Sequence, residues 1–104
     1  MKRVVFSNAA DAALTDIYEF TEERWGARQA NKYVGELLRL ADQICAGEVL
    51  ARPIPPEFGV PGFVTRHDSH FVYWRRINDK TVGITAILHV SMMQGDRLRE
   101  AFGG

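Results

Sequence analysis

The side chains that could carry out acid–base or phosphate chemistry fall in the second half of this chain: Arg66, His67, His70, Tyr73, Arg75, Arg76 and His89. Imidazoles exchange protons near neutral pH, and guanidinium groups stabilise charge developing on a phosphate. RNA cleavage would use such a set. One group would activate a ribose 2′-OH, another would protonate the leaving 5′-oxygen, and cations would hold the phosphate. Arg66, Tyr73, Arg75 and His89 are the four that could form that pocket. No metal site is expected, because the three histidines have no carboxylate at ligand spacing and no cysteine partner. His89 ends an apolar run and reads as a structural histidine bonded to backbone, while His67 and His70 flank a turn and read as strand-end or solvent-facing groups.

The elements that would position these groups follow from periodicity. Lys2–Phe6 is β-branched and aromatic, which predicts a first strand, and Ser7 is placed to cap the helix behind it, with Asp11 near the positive end of the dipole. Ala10, Ala13, Leu14, Ile17, Phe20, Thr21 and Trp25 recur at helical steps, with Asp16, Glu19, Glu22 and Glu23 opposite. Gly26 stops that helix by taking the left-handed conformation. A second stripe follows at Ala30, Tyr33, Val34, Leu37, Leu38, Ala41, Ile44 and Cys45. So short a corner predicts an antiparallel helical hairpin, whose apolar face needs a sheet. Ala46–Gly62 is rich in proline and glycine, which predicts a connection without regular structure. Phe63–His67, His70–Ile77 and Thr81–Val90, joined by tight turns, predict an antiparallel meander with the last strand central. Asp96–Phe102 would close the chain as a short helix, capped by Asp96, with Leu98 and Phe102 inward.

The 104 residues, 46% of them hydrophobic, are enough for one α+β domain spanning 1–104. The lone cysteine, Cys45, reads as a buried thiol, and the absence of a long apolar run or signal-peptide core makes the chain read as cytoplasmic. Zero net charge hides an asymmetry: residues 11–57 carry nine acids and five bases, and residues 58–104 four acids and six bases. That balance gives little long-range attraction to nucleic acid, so no direct DNA binding by the chain alone is expected.

Several local runs resemble the ParE branch of the ParE/RelE toxin superfamily. They are the S-x-x-A start at Ser7–Ala10, the L-x-x-I-x-x-F run from Leu14 to Phe20, and T-E-E-R-W-G at Thr21–Gly26 with Gln29, Ala30 and Tyr33. R-P-I-P-P at Arg52–Pro56, H-F-V-Y-W-R at His70–Arg75 and I-L-H at Ile87–His89 continue the series over essentially the whole chain. The resemblance implies a ParE/RelE-like fold: an N-terminal strand, an antiparallel helical hairpin packed on an antiparallel sheet, and a short C-terminal helix. It also implies the toxin of a type II toxin–antitoxin system that inhibits DNA gyrase by protein binding, without a cofactor. A ParD-like antitoxin would neutralise it in a hetero-oligomer. The alternatives are a RelE-like mRNA endoribonuclease built on Arg66, Tyr73, Arg75 and His89, or a non-toxic antitoxin-binding module. The second alternative is motivated by His89-Val90-Ser91-Met92-Met93, where the family commonly reads H-x-R-M-D and Ser91 replaces the arginine.

The residues assigned to partner binding are Trp25, Tyr33, Arg75, Met92, Met93 and Phe102. Trp25 reads first as packing at the bend, with Arg24 stacking on an aromatic face or binding the last helix carbonyls. Tyr73 and Trp74 point to opposite faces of a strand, so one should be core while the other lines an open face. Met92, Met93 and Phe102 form an apolar tail that either docks on the body or waits for a partner to cover it.

Overall fold

The computed structural model describes residues 2–102. In chain order these are β1 (Arg3–Phe6), α1 (Asn8–Trp25), α2 (Ala27–Cys45), β2 (Arg52–Pro53), a single 3₁₀ turn at Pro56–Phe58, β3 (Phe63–His67), β4 (His70–Asn78), β5 (Thr81–His89) and α3 (Gln94–Ala101). The five strands form one sheet in the order β1-β5-β4-β3-β2. The meander β3-β4-β5 is antiparallel as expected, and β5 is central. β1 adds beside β5 in parallel, so the sheet is mixed. The helical hairpin supplies the crossover that a parallel pair requires.

Two cores result. The hairpin covers one face through Leu37, Leu40, Ala41 and Ile44, packed against Val72, Trp74, Val82, Ile84 and Ile87. On the other face α3 and the 52–62 segment bury Ile54, Tyr73, Ala86 and Leu98, with Phe58 and Phe102 alongside. Tyr73 and Trp74 are therefore both core residues, 2% and 1% exposed, and neither lines an open face. Their polar tips are satisfied: the Tyr73 hydroxyl donates to Gln94 Oε1 at 2.8 Å and the Trp74 indole N–H to Thr65 Oγ1 at 3.1 Å.

Strict alternation along β5 fails at one place. Tyr73 pairs with Ala86 and Trp74 with Ile84, leaving Thr85 as an extra residue. This bulge switches the faces. Val82 and Ile84 face the hairpin before it and Ile87 after it, while Ala86 and Leu88 join the core under α3. Thr85 is tied down on both sides, its Oγ1 donating to the Tyr73 carbonyl at 3.1 Å and its carbonyl accepting from Ser7 Oγ at 2.8 Å. The same Ser7 oxygen accepts from the Ala10 N–H at 3.0 Å, so one hydroxyl caps α1 and anchors the bulge.

Other expectations shift for local reasons. Leu38 is 42% exposed and Leu40 is 8% exposed, because the buried stripe steps from Leu37 to Leu40 and Ile44. In α1 the packed stripe ends at Ile17, leaving Phe20 and Trp25 59% and 67% exposed, so Trp25 is not packing at the bend. Arg24 stacks instead on Phe20, 5.3 Å from its centroid. Gly26 has positive φ as expected, but φ 91° with ψ 167° is extended and essentially glycine-only, not left-handed helical. The connection is less irregular than its composition suggests, since β2 pairs with β3 and Ile54 N–H bonds the Gly62 carbonyl at 3.0 Å. Asp96 does not cap α3: the helix starts two residues earlier without a side-chain cap, and Asp96 pairs with Arg99 at 2.6 Å.

Ser7→Ala removes a cap and the bulge anchor together, and is expected to lower unfolding free energy in urea by about 1–2 kcal/mol. Gly26→Ala meets no atom within 4 Å. Its cost is therefore backbone strain alone, about 1–3 kcal/mol in the same measurement.

Candidate functional site

A groove of about 880 Å³ opens where the second half of α1 passes the end of the meander. Ile17, Phe20, Trp25 and Met92 supply its apolar walls, and Tyr33, His70, His89 and Ser91 contribute to its polar lining. Asp16 and Asp68 also line it, and neither Lys nor Arg does. Each position has a local cause. Phe20 and Trp25 continue the apolar side of α1 past Ile17, the last residue of the stripe that the core covers. Tyr33 sits early in α2 because the one-residue corner at Gly26 turns the chain straight back. His70 and His89 are paired across β4 and β5, and the Thr85 bulge turns His89 toward the hairpin.

The polar residues lock together. The Tyr33 hydroxyl and His70 Nδ1 share a hydrogen bond of 2.6 Å, and the rings of His70 and His89 meet edge-on at 5.3 Å and 90°. His89 Nδ1 accepts from the Ser91 N–H at 3.0 Å and faces Ser91 Oγ at 2.7 Å, the backbone bond expected of a structural histidine. The Ser91 N–H bond leaves the neutral-ring proton of His89 on Nε2. Beside them His67 Nε2 contacts Glu36 Oε1 at 3.1 Å and its ring lies 5.6 Å from Tyr33. His67 and His70 are thus half-buried against α2, not turned to solvent, because the β3–β4 turn lies over the helix.

Burial, reinforced by neighbouring His89, pushes the His70 pKa down to about 4 against an opposing pull from Asp68. Burial raises the Tyr33 pKa, outweighing the hydrogen bond from Ser69, and burial likewise raises that of Tyr73. At neutral pH the Tyr33–His70 pair is therefore uncharged, and the groove's formal charge comes from the aspartates at its sides.

The residues named from sequence divide. Trp25, Tyr33 and Met92 meet in the groove. Met93 is 72% exposed but outside it, and Phe102 packs against the second core. Arg75 pairs with Gly83, five residues along β4 from the His70–His89 pair, roughly 17 Å away at 3.3 Å per residue. Arg66 lies over Phe71, 5.7 Å from its centroid, and donates to the Asp68 carbonyl at 2.8 Å. Tyr73 is buried beneath α3 while His89 faces the hairpin, so Arg66, Tyr73, Arg75 and His89 do not converge. Phe20, Asp16, Asp68, His70 and Ser91 are groove residues that sequence reasoning did not assign. Phe20 carried a signal as part of the α1 stripe, His70 as an acid–base candidate and Ser91 as the residue in place of the family's arginine, while the two aspartates carried none. Among the described residues no group of three His, Cys, Asp or Glu side chains is placed to hold a metal ion, and no helix is long and apolar enough to cross a membrane.

An open apolar groove with a neutral, internally hydrogen-bonded floor has the character of a recognition surface. Comparison with known proteins agrees on the kind of molecule. Residues 4–94 match the family described as “ParE toxin of type II toxin-antitoxin system, parDE”. Toxin ParE1 of Mycobacterium tuberculosis, in strains CDC 1551 / Oshkosh and ATCC 25618 / H37Rv, is 31% identical over 91 residues, covering 86% of this chain and 91% of that protein. The solved structure “Chromosomal ParDE TA system from P. aeruginosa” superposes with a TM-score of 0.69 over 88% of this chain and 98% of that chain, a likeness of fold at 22% identity. This chain belongs to the ParE toxin family of type II toxin–antitoxin systems.

The low His70 pKa has a measurable consequence. In the unfolded chain His70 takes up a proton near pH 6.5, but in the fold only near 4, so the unfolded state binds more protons between these values. Stability is therefore retained above pH 6.5 and lost as pH falls toward 4, by about 2 kcal/mol once the shift is discounted for partial exposure. Urea titrations from pH 7 to 4 check this, and His70→Asn should flatten the slope.

Proposed function

We propose that this ParE-family toxin acts in the cytoplasm by binding DNA gyrase, without cutting RNA, and that a ParD-like antitoxin neutralises it by laying a segment into the groove. The observation that carries the binding reading is the cluster of Phe20, Trp25 and Met92, exposed together beside Tyr33 and His70. Large apolar side chains gathered at one rim favour association with a partner surface. The endoribonuclease reading loses its support from geometry, because Tyr73 is buried and His89 lies on the opposite face of the sheet from Arg66 and Arg75. Binding that favours one gyrase state would suffice for inhibition.

Induced expression with and without the antitoxin, followed by supercoiling assays and transcript analysis, tests this reading. Growth arrest with impaired supercoiling and intact transcripts is expected. Arrest with cleaved transcripts would replace the target with RNA, and tight antitoxin binding without arrest would leave a non-toxic binding module. Trp25→Ala should weaken antitoxin binding by about 30-fold in calorimetry, roughly 2 kcal/mol for a central aromatic anchor. The melting temperature should be nearly unchanged, because the side chain is mostly exposed in the free protein.

A further inference from the structure

The zero net charge conceals a strongly positive corner that the proposed function leaves unused. At the end of the sheet opposite the groove, the start of β1, the end of β4 and the β4–β5 turn bring together Lys2, Arg3, Arg75, Arg76 and Lys80, all exposed. None of these five joins any ion pair found among the described residues, which involve His67–Glu36, Arg97–Glu100 and Arg99–Asp96. Lys2, Arg76 and Lys80 line one recess of about 400 Å³, in which Asp79 is the single acid. Arg3 and Arg75 extend from the same strand ends toward the other face, since Arg3 pairs with Thr81 and Arg75 with Gly83.

One cation is held in place, and the turn that presents a second is fixed. The Arg76 guanidinium lies 5.3 Å from the Trp74 ring centroid and 5.9 Å from that of Phe63, a stacked arrangement that limits its rotamers. The turn presenting Lys80 is fixed by its own N–H donating to Asn78 Oδ1 at 2.9 Å. The three strands that carry the cluster span roughly 10 Å at 4.8 Å per strand. That width covers about three base-pair steps of a duplex.

We infer that this corner, formed by Lys2, Arg76 and Lys80 with Arg3 and Arg75, binds the phosphate backbone of duplex DNA. Separated, unpaired cations on an open surface suit a repeating polyanion. The duplex is favoured over single strands because the corner offers no free aromatic face. Trp74 is buried, Phe63 lies beneath Arg76, and the exposed aromatics Phe20 and Trp25 flank the groove. Without a stacking platform, single-strand binding loses its main sequence-tolerant contact. From His70 to Asn78 the two sites are separated by roughly 26 Å of strand. A protein bound in the groove would therefore leave the corner open to DNA. The expectation of no direct DNA contact rested on net charge, which does not register how the fold gathers five of thirteen Lys and Arg at one end.

Fluorescence anisotropy of the full chain with a labelled 20-base-pair duplex of arbitrary sequence tests the inference without involving gyrase or antitoxin, so its failure is separate from theirs. Binding with a Kd of about 10–100 µM at 50 mM NaCl is expected, with log K falling against log salt at a slope of about −3 to −4.5 for three to five neutralised phosphates. Lys2→Gln/Arg76→Gln/Lys80→Gln should weaken it at least tenfold, and the charge-matched Arg24→Gln/Arg97→Gln/Arg99→Gln should leave it within twofold. Lys2→Gln/Lys80→Gln, which spares the Arg76 stack, should weaken binding at least threefold with an unchanged melting temperature. No binding at 50 mM NaCl, or equal losses in the two triple variants, would overturn the inference. A 20-nucleotide single-stranded RNA bound more tightly than the duplex would overturn the assignment to duplex DNA.

Discussion

The extra residue in β5, Thr85, decides which side chains meet the helical hairpin and which meet α3. With uninterrupted alternation, Ile87 and His89 would have pointed under α3, and Leu88 toward the hairpin. The bulge reverses this, so the hairpin core gains Ile87, the second core gains Ala86 and Leu88, and His89 reaches the groove beside His70. A carbonyl displaced from its ladder costs energy unless it finds a donor. Ser7 supplies that donor from the first turn of α1, binding helix, bulge and groove into one construction.

Two-sided burial follows from the same place. Tyr73 and Trp74 are consecutive, so they must face opposite ways, and both are large enough to require cover. The hairpin alone can cover only one. The segment from Ile54 to Phe58 and the helix from Gln94 onward exist in this arrangement because Tyr73 needs the other. The short strand at Arg52–Pro53 and the bond from Ile54 to Gly62 hold that cover against β3.

The sequence made visible whatever depends on local periodicity. The two helices, the three meander strands, the central position of β5, the Ser7 cap and the burial of Cys45 and Leu98 all follow from spacing along one element. The rest depends on pairs distant in the chain. Tyr33 and His70 are thirty-seven residues apart, and no spacing rule connects them. The apolar stripe of α1 was legible, but where it ceased to be covered was not, since that depends on how far the helix travels past the sheet. Trp25 therefore read as packing and proved to be exposed. The bulge was equally hidden, because Thr85 fits the alternation it breaks.

Leaving Phe20, Trp25 and Met92 in water forgoes stabilisation of about 1.5–3 kcal/mol for each fully buried side chain of this size. A free protein retains such exposure only if the surface does not readily pair with itself. The groove has a built-in answer, since Asp16 and Asp68 line it and Glu19, Glu22 and Glu23 are exposed along α1. Two copies meeting groove to groove would bring these carboxylates together, and desolvated like charges oppose association. A segment with apolar anchors and cationic flanks would avoid that repulsion and recover the burial. The same neutral floor fits this asymmetry. With His70 uncharged and satisfied by Tyr33, a partner meets no buried positive charge, and its apolar anchors need displace only water. The charge pattern thus supports a hetero-complex over a homodimer on physical grounds, and it does so through the aspartates, which no motif in the chain singled out.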